Sequence, residues 1–215
     1  NGLFVATGAS GTGNRVMTSP DGITWTSRAS AADNMWYSVV YGNGLFVAVS
    51  YDGTGNRVMT SPDGITWTSR TSAADNWWYS VTYGNGLFVA VSDVAIADIA
   101  VMTSPDGINW TARSGAADDN DSWNSVTYGN GIFVAVGTGA DRVMTSPDGI
   151  TWTARSAAGD NDYWYSVTYG NGLFVAVGSF FADSVMTSPD GIIWTVRSAA
   201  QSNNWESVTY GDRKS

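Results

Sequence analysis

The string VMTSPDGI occurs five times in 215 residues, beginning at Val16, Val58, Val101, Val143 and Val185. A tandem identity of this length outweighs every other feature, because each copy must build the same local structure and bury its apolar face against its neighbours. Phased on NGLFVA or its variant NGIFVA, the copies start at Asn1, Asn43, Asn85, Asn130 and Asn171, at spacings of 42, 42, 45 and 41 residues. The units are therefore 1–42, 43–84, 85–129, 130–170 and 171–211 with a tail at 212–215, read together as a single domain.

No stretch carries a 3.6-residue apolar period, so helices are not expected. The unit that starts at residue 78 reads WYSVTYG (78–84), a Gly-Asn-Gly turn, LFVAV (87–91), an irregular loop, VMTS (101–104), a Pro-Asp-Gly turn and INWTAR (108–113). Asn and Gly supply the positive φ of a tight hairpin, and Pro before Asp-Gly presets a turn. LFVAV is apolar on both faces, as suits a strand covered on both sides. Four short antiparallel strands per repeat of about 40 residues give the blade of a β-propeller, so the fold class expected is all-β, a five-bladed β-propeller. SVTYG at 207–211 is the strand that should precede LFVAT at 3–7, and its pairing there would close the ring on the three N-terminal strands of blade one.

SPDGITW at 19–25 and its copies resemble the Asp-box turn of sialidase-like propellers, one residue shorter between Asp and Gly. The whole unit is similar to Asp-box propeller repeats of bacterial surface and assembly proteins. The resemblance implies a structural role for Asp21, Asp63, Asp106, Asp148 and Asp190, bonding turn amides, and for Trp25, Trp67, Trp110, Trp152 and Trp194, packing beneath the turn. It also raises sialidase chemistry, which the residues oppose. Such enzymes pair a Tyr with a Glu, the chain has one Glu, Glu206, and near-identical blades offer five copies instead of one asymmetric centre. The expectation is that the chain is not an enzyme.

Composition narrows the ligand classes. With no Cys and no His there is no disulfide framework, thiolate zinc site or imidazole base. Ten basic against 19 acidic residues, a net charge of -9, argue against nucleic acid. Apolar runs such as 45–49 are too short to cross a bilayer, and no basic segment followed by an apolar one opens the sequence. The acid-rich runs 118–121 and 160–162 have hard-cation chemistry but no known loop spacing, so neither a metal nor a cofactor is expected. A monomer is expected, and a secreted or cell-surface setting is favoured.

Comparing copies separates scaffold from variation. The GNG and SPDG turns hardly change, whereas length and composition vary in the second-to-third strand loop and in the connection to the next blade. In an antiparallel blade those two connections emerge on one face, at the mouth of the channel, where recognition is expected. Each inter-blade connection brings Asp or Asn just before a Trp: Asp33, Asn34 and Trp36; Asp75, Asn76 and Trp78; Asn120, Asp121 and Trp123; Asn161, Asp162 and Trp164; Asn203, Asn204 and Trp205. A planar amide or carboxylate beside an aromatic face suits a sugar, so these are the candidate ligand contacts of a multivalent, lectin-like propeller. The same Trp could instead wedge between blades, and the Asp-Asn pairs could cap turns. The partner is then a glycan or a protein surface. The exposed apolar residues expected in the loops of blades three and five, Phe180 and Phe181 among them, favour a protein-interaction scaffold. A recently amplified or designed repeat with no ligand is the third possibility.

Overall fold

A computed structural model of the chain describes residues 2–96, 98–116, 121–159, 163–179 and 184–211. Every element among them is a strand, and the strands form five antiparallel sheets in chain order. Blade one has β1 (Phe4–Thr7), β2 (Val16–Ser19) and β3 (Thr26–Arg28). Blade two has β4 (Trp36–Gly42), β5 (Leu45–Ser50), β6 (Val58–Ser61) and β7 (Thr68–Arg70), and blade three β8 (Trp78–Gly84), β9 (Leu87–Ile96), β10 (Ile99–Ser104) and β11 (Thr111–Ser114). Blade four has β12 (Ser122–Gly129), β13 (Ile132–Thr138), β14 (Arg142–Ser146) and β15 (Thr153–Ser156), and blade five β16 (Trp164–Gly170), β17 (Leu173–Gly178), β18 (Val185–Ser188) and β19 (Thr195–Arg197).

The first hairpin of each four-stranded blade closes through a two-residue turn. Asn43 and Gly44 have φ of 48° and 77°, and Asn85, Asn130 and Asn171 repeat the conformation at 49–50°. Two left-handed residues make the primed turn whose twist matches the strands it joins. Gly42 pairs with Leu45 across it, and the register then runs Tyr41 to Phe46, Val40 to Val47 and Val39 to Ala48. The second strand is the centre of the blade: Phe46, Val47, Ala48 and Val49 are all buried, one face on each neighbouring sheet.

Blades stack heterologously. Met59 and Trp67 of blade two pack on Val5 and Val16 of blade one, and Met102 and Trp110 of blade three on Val47, Val49 and Val58 of blade two. The first strands sit side by side, stitched by a side-chain bond that repeats from blade to blade. The amides of Val81, Val126 and Val167 donate to Ser38, Ser80 and Ser125 Oγ at 3.1–3.2 Å. Each of these strands ends on a glycine over which the next blade's tyrosine ring lies: Gly42 under Tyr83, Gly84 under Tyr128, Gly129 under Tyr169.

Two expectations need adjusting. The fourth strand starts at Thr111, not Ile108, because the amides of Ile108 and Asn109 are taken by the Asp106 carboxylate at 2.9 and 2.8 Å and cannot join the ladder. And Ser207–Gly211 is not paired with β1. That segment has no strand partner; its Val208 amide donates to Ser166 Oγ at 3.2 Å and Tyr210 lies over Gly170, the place a first strand takes beside the blade before it. Among the described residues the ring-closing pair is not seen, and the sheet of blade one has three strands. Its corresponding face is open, with Phe4 56% exposed against 6% for Phe46, and a cavity of about 380 Å³ lined by Met17 and Trp25 lies beside it.

Candidate functional site

The two variable connections do share one end of the blades. Gly13 N–H in the β2-side loop donates to Asp33 in the inter-blade connection at 2.5 Å, and Gly55 to Asp75 at 2.7 Å and Ala140 to Asp121 at 2.9 Å repeat the link. The invariant turns meet at the other end, where Asn130 Nδ2 donates to the Pro189 carbonyl at 3.4 Å.

At the loop end the paired acids and amides hold the protein's own backbone. Asn34 Nδ2 donates to the Asn56 carbonyl at 2.9 Å and to Ser50 Oγ at 3.3 Å, and Asn76 Nδ2 donates to the Ile99 carbonyl. Asn34, Asn76 and Asp121 are buried, whereas Asp33 and Asp75 are exposed yet tied to the amides of Gly13 and Gly55. These five are arranged as loop caps. Asn120, Asn161 and Asp162, the rest of the acid runs apart from Asp121, and Phe180 and Phe181 lie outside the described residues.

Trp36, Trp78, Trp123 and Trp164 are only 0–1% exposed. Reading them as ligand contacts is corrected by their placement: each ring is inside the inter-blade packing and presents no face to solvent. The cause is a β-bulge in every four-stranded blade. Trp36 pairs with Ser50 while Ser38 pairs with Val49, and the same slip recurs at Trp78, Trp123 and Trp164. Simple alternation would put Trp36 on one face with Ser38; the extra residue turns it onto the face of Val39, and Trp78 likewise onto that of Val81. Trp205 is half-buried, with its indole donating to the Gln201 carbonyl at 3.3 Å, and Asn203 and Asn204 are exposed.

What the loop end shows to solvent is the residues beside those Trp. Between blades two and three four rings form one network. Tyr37 lies 4.8 Å from Tyr79 by ring centroids, Tyr51 stacks on Trp77 at 4.6 Å and 27°, and Tyr51 closes the set on Tyr37 at 5.9 Å and Tyr79 at 6.0 Å. Tyr37 is 45% and Trp77 37% exposed, with Met35 beside them. Arg57 fixes the loop that carries Tyr51: its guanidinium donates to the carbonyls of Tyr51 and Gly53 and, in the next connection, Asn76, at 2.6–2.9 Å, with Asp75 at 3.6 Å. Tyr79 is pushed up to about 12 by burial and then by the charge of Asp93, so its hydroxyl stays protonated. Blade four has Ser122, Asn124 and Thr138 at the corresponding positions, whereas blade five again has aromatics there, Tyr163 and Tyr165, with Ser179 in place of Tyr51. The registers of Trp77 and Tyr51 differ in every copy, and that variation is the signal by which sequence reading alone could find the patch.

The SPDG turns hold a different kind of chemistry. In blade two the Asp63 carboxylate accepts from the amides of Ile65 and Thr66 at 2.8 Å and from Ser61 Oγ at 2.8 Å, while Trp67 Nε1 donates to the Gly64 carbonyl at 3.0 Å. Asp21, Asp106, Asp148 and Asp190 accept the same set, and Trp25, Trp110, Trp152 and Trp194 donate alike. Backbone amides aimed at the charged form hold Asp21 and Asp63 down to about 2 from 3.8, and lower the other three as well. A depressed carboxylate lends stability that is complete above its unfolded value and lost as pH falls through the folded one. Thermal unfolding followed by circular dichroism should therefore show a falling midpoint between about pH 4 and pH 2, with a shallower fall in Asp63→Asn; a flat profile would contradict it. Arg28, Arg70, Arg113, Arg155 and Arg197, which close the outer strands, donate through Nε to the Thr hydroxyl on the neighbouring strand at 2.9–3.2 Å.

No protein-family model and no curated protein matches the sequence. Solved structures do. Virginiamycin B lyase from Staphylococcus aureus is similar over 88% of this chain and 64% of its own, with a TM-score of 0.75 and 13% identity. YCF48 bound to D1 peptide matches over 89% and 62% with a TM-score of 0.61 and 15% identity, and the nidogen/laminin complex over 80% and 66% at 0.57 and 15%. The fold is a β-propeller. The chain spans about 60–64% of the length of the first structures it matches. The comparison also overturns one expectation. A lyase stands among these structures, so neither this architecture nor the lack of sialidase groups rules out catalysis. The propellers matched include proteins seen with a peptide and with a protein partner.

Proposed function

We propose that this propeller binds a protein surface with its loop end, and that the four-ring patch of Tyr37, Tyr51, Trp77 and Tyr79 is the contact. The single observation that carries this reading is the four-ring cluster at the loop end between blades two and three, while Trp36, Trp78, Trp123 and Trp164 are inside the blade packing. Large rigid rings give contact area at little entropic cost, which is why Tyr and Trp dominate hot spots. A five-fold lectin needs equivalent sites around the ring, each with a free ring face and free amides. Asn34 and Asn76 are bonded to backbone and Trp36 and Trp78 are covered, so in blades two and three these residues offer no free face for a sugar. That YCF48 is seen with a peptide, and nidogen with laminin, supports a propeller of this kind acting as a binding platform. The SPDG turn, with its carboxylate and indole bonds, is read as a shortened Asp-box that shapes the opposite end. The five repeats are read as one domain.

Selection from a displayed random-peptide library tests the proposal. Peptides selected on the wild-type protein should lose at least tenfold in affinity for Tyr37→Ala/Trp77→Ala, about 1.4 kcal/mol or more, with unfolding unchanged. Selected peptides indifferent to that double substitution, or five equivalent sugar sites in calorimetry, would overturn it.

A further inference from the structure

The chemistry around the four rings narrows the partner. Their faces carry negative quadrupole, and two carboxylates border them: Asp52, which follows Tyr51 and accepts the Met35 amide at 2.5 Å, and Asp93, whose amide donates to the Trp77 carbonyl at 3.0 Å. The nearby cation, Arg57, is 12% exposed and engaged with three carbonyls and Asp75, so it does not neutralise the patch from outside. Outward-facing rings with flanking carboxylates on a chain of net charge -9 disfavour an anionic partner and favour a guanidinium or ammonium laid on the ring faces. We infer that the patch of Tyr37, Tyr51, Trp77 and Tyr79, with Asp52 and Asp93, takes an Arg- or Lys-bearing segment of a partner protein. The inference rests on the protein-surface reading above and adds the sign of the partner's charge.

Guanidinium is the better fit, because its plane can lie on an exposed ring face while its N–H groups pair with a flanking carboxylate. The side-chain hydroxyl of Tyr79 stays protonated at neutral pH, so it adds no further anion to the site. The test titrates the whole chain by calorimetry with a capped alternating Arg-Gly peptide and its Gln-Gly and Glu-Gly counterparts. The Arg peptide should bind about tenfold or more tightly than the Gln peptide, weaken as ionic strength rises, and show no rival in the Glu peptide. Asp93→Asn should weaken the Arg peptide and leave the Gln peptide unchanged, while Tyr37→Ala/Trp77→Ala should abolish both. Equal binding of the Arg and Gln peptides, both lost in the ring variants, would overturn the cationic inference and leave the patch standing as a contact surface. Arg-peptide binding that persists in the ring variants, or binding of none of the peptides, would overturn this inference, and peptides selected from the library then decide the broader reading separately.

Discussion

Trp78→Ala should remove about 3–5 kcal/mol of stability, the largest loss expected of any single truncation at the loop end. Its indole is fully buried against Val47, Val49 and Val58 of the preceding blade, and its Nε1 donates to the Ala74 carbonyl at 3.1 Å. Truncation leaves a cavity between two rigid sheets that cannot collapse onto it, and it frees a carbonyl in the inter-blade connection. At roughly 2–4 °C per kcal/mol for a chain of this size, the melting midpoint should fall by roughly 6–20 °C. Chemical denaturation should show the loss at unchanged binding of the library-selected peptides under folding conditions. Retained stability with lost binding would mean that the indole is a ligand contact after all.

Gly84→Ala is expected to be nearly as damaging, for the opposite reason. A Cβ at that position would stand 2.1 Å from Tyr128 Cγ and 2.5 Å from its Cβ, so the whole side chain and not a flexible tip must move. Overpacking of a fixed interface costs about 1–3 kcal/mol and occasionally more. The backbone at Gly84 is in an ordinary extended conformation, so the requirement is for space alone. Gly211→Ala is the matched control, since a Cβ there meets nothing within 4 Å. Guanidinium unfolding of the two variants should separate them clearly; equal midpoints would show that the first strands are not packed through these Tyr-on-Gly contacts.

The repeated parts of the fold were legible because each copy reports on the others. VMTSPDGI and YGNG recur at fixed spacing, and the turn chemistry of Asn43-Gly44 and of the Ser61–Asp63 pair follows from residue type alone. The site was less legible. Trp36 and its copies read as ligand contacts because each follows an Asp or Asn pair in a variable connection, and the bulge that turns them into the blade packing leaves no mark in composition. The ring network escaped because its members come from three different repeat positions: Tyr37 and Tyr79 from first strands, Trp77 from a connection and Tyr51 from a loop. Only the packing of neighbouring blades brings them together. The arginines closing the outer strands offered an ion pair by charge, yet Thr60 sits directly across the strand from Thr68, two residues before Arg70, and geometry gave the bond to the hydroxyl.

Adjacent residues 77 and 78 make the most direct test of the account, since one Trp is 37% exposed on the ring patch and the other is fully buried between blades. Trp77→Ala and Trp78→Ala should be measured side by side, by thermal unfolding and by calorimetric titration with a peptide selected on the wild type. The expected result is a crossed pattern: Trp77→Ala melts within about 2 °C of wild type and loses binding, while Trp78→Ala melts well below it and binds normally when folded. A Trp77→Ala variant that binds as wild type, or a Trp78→Ala variant that keeps its melting point and loses binding, would contradict it.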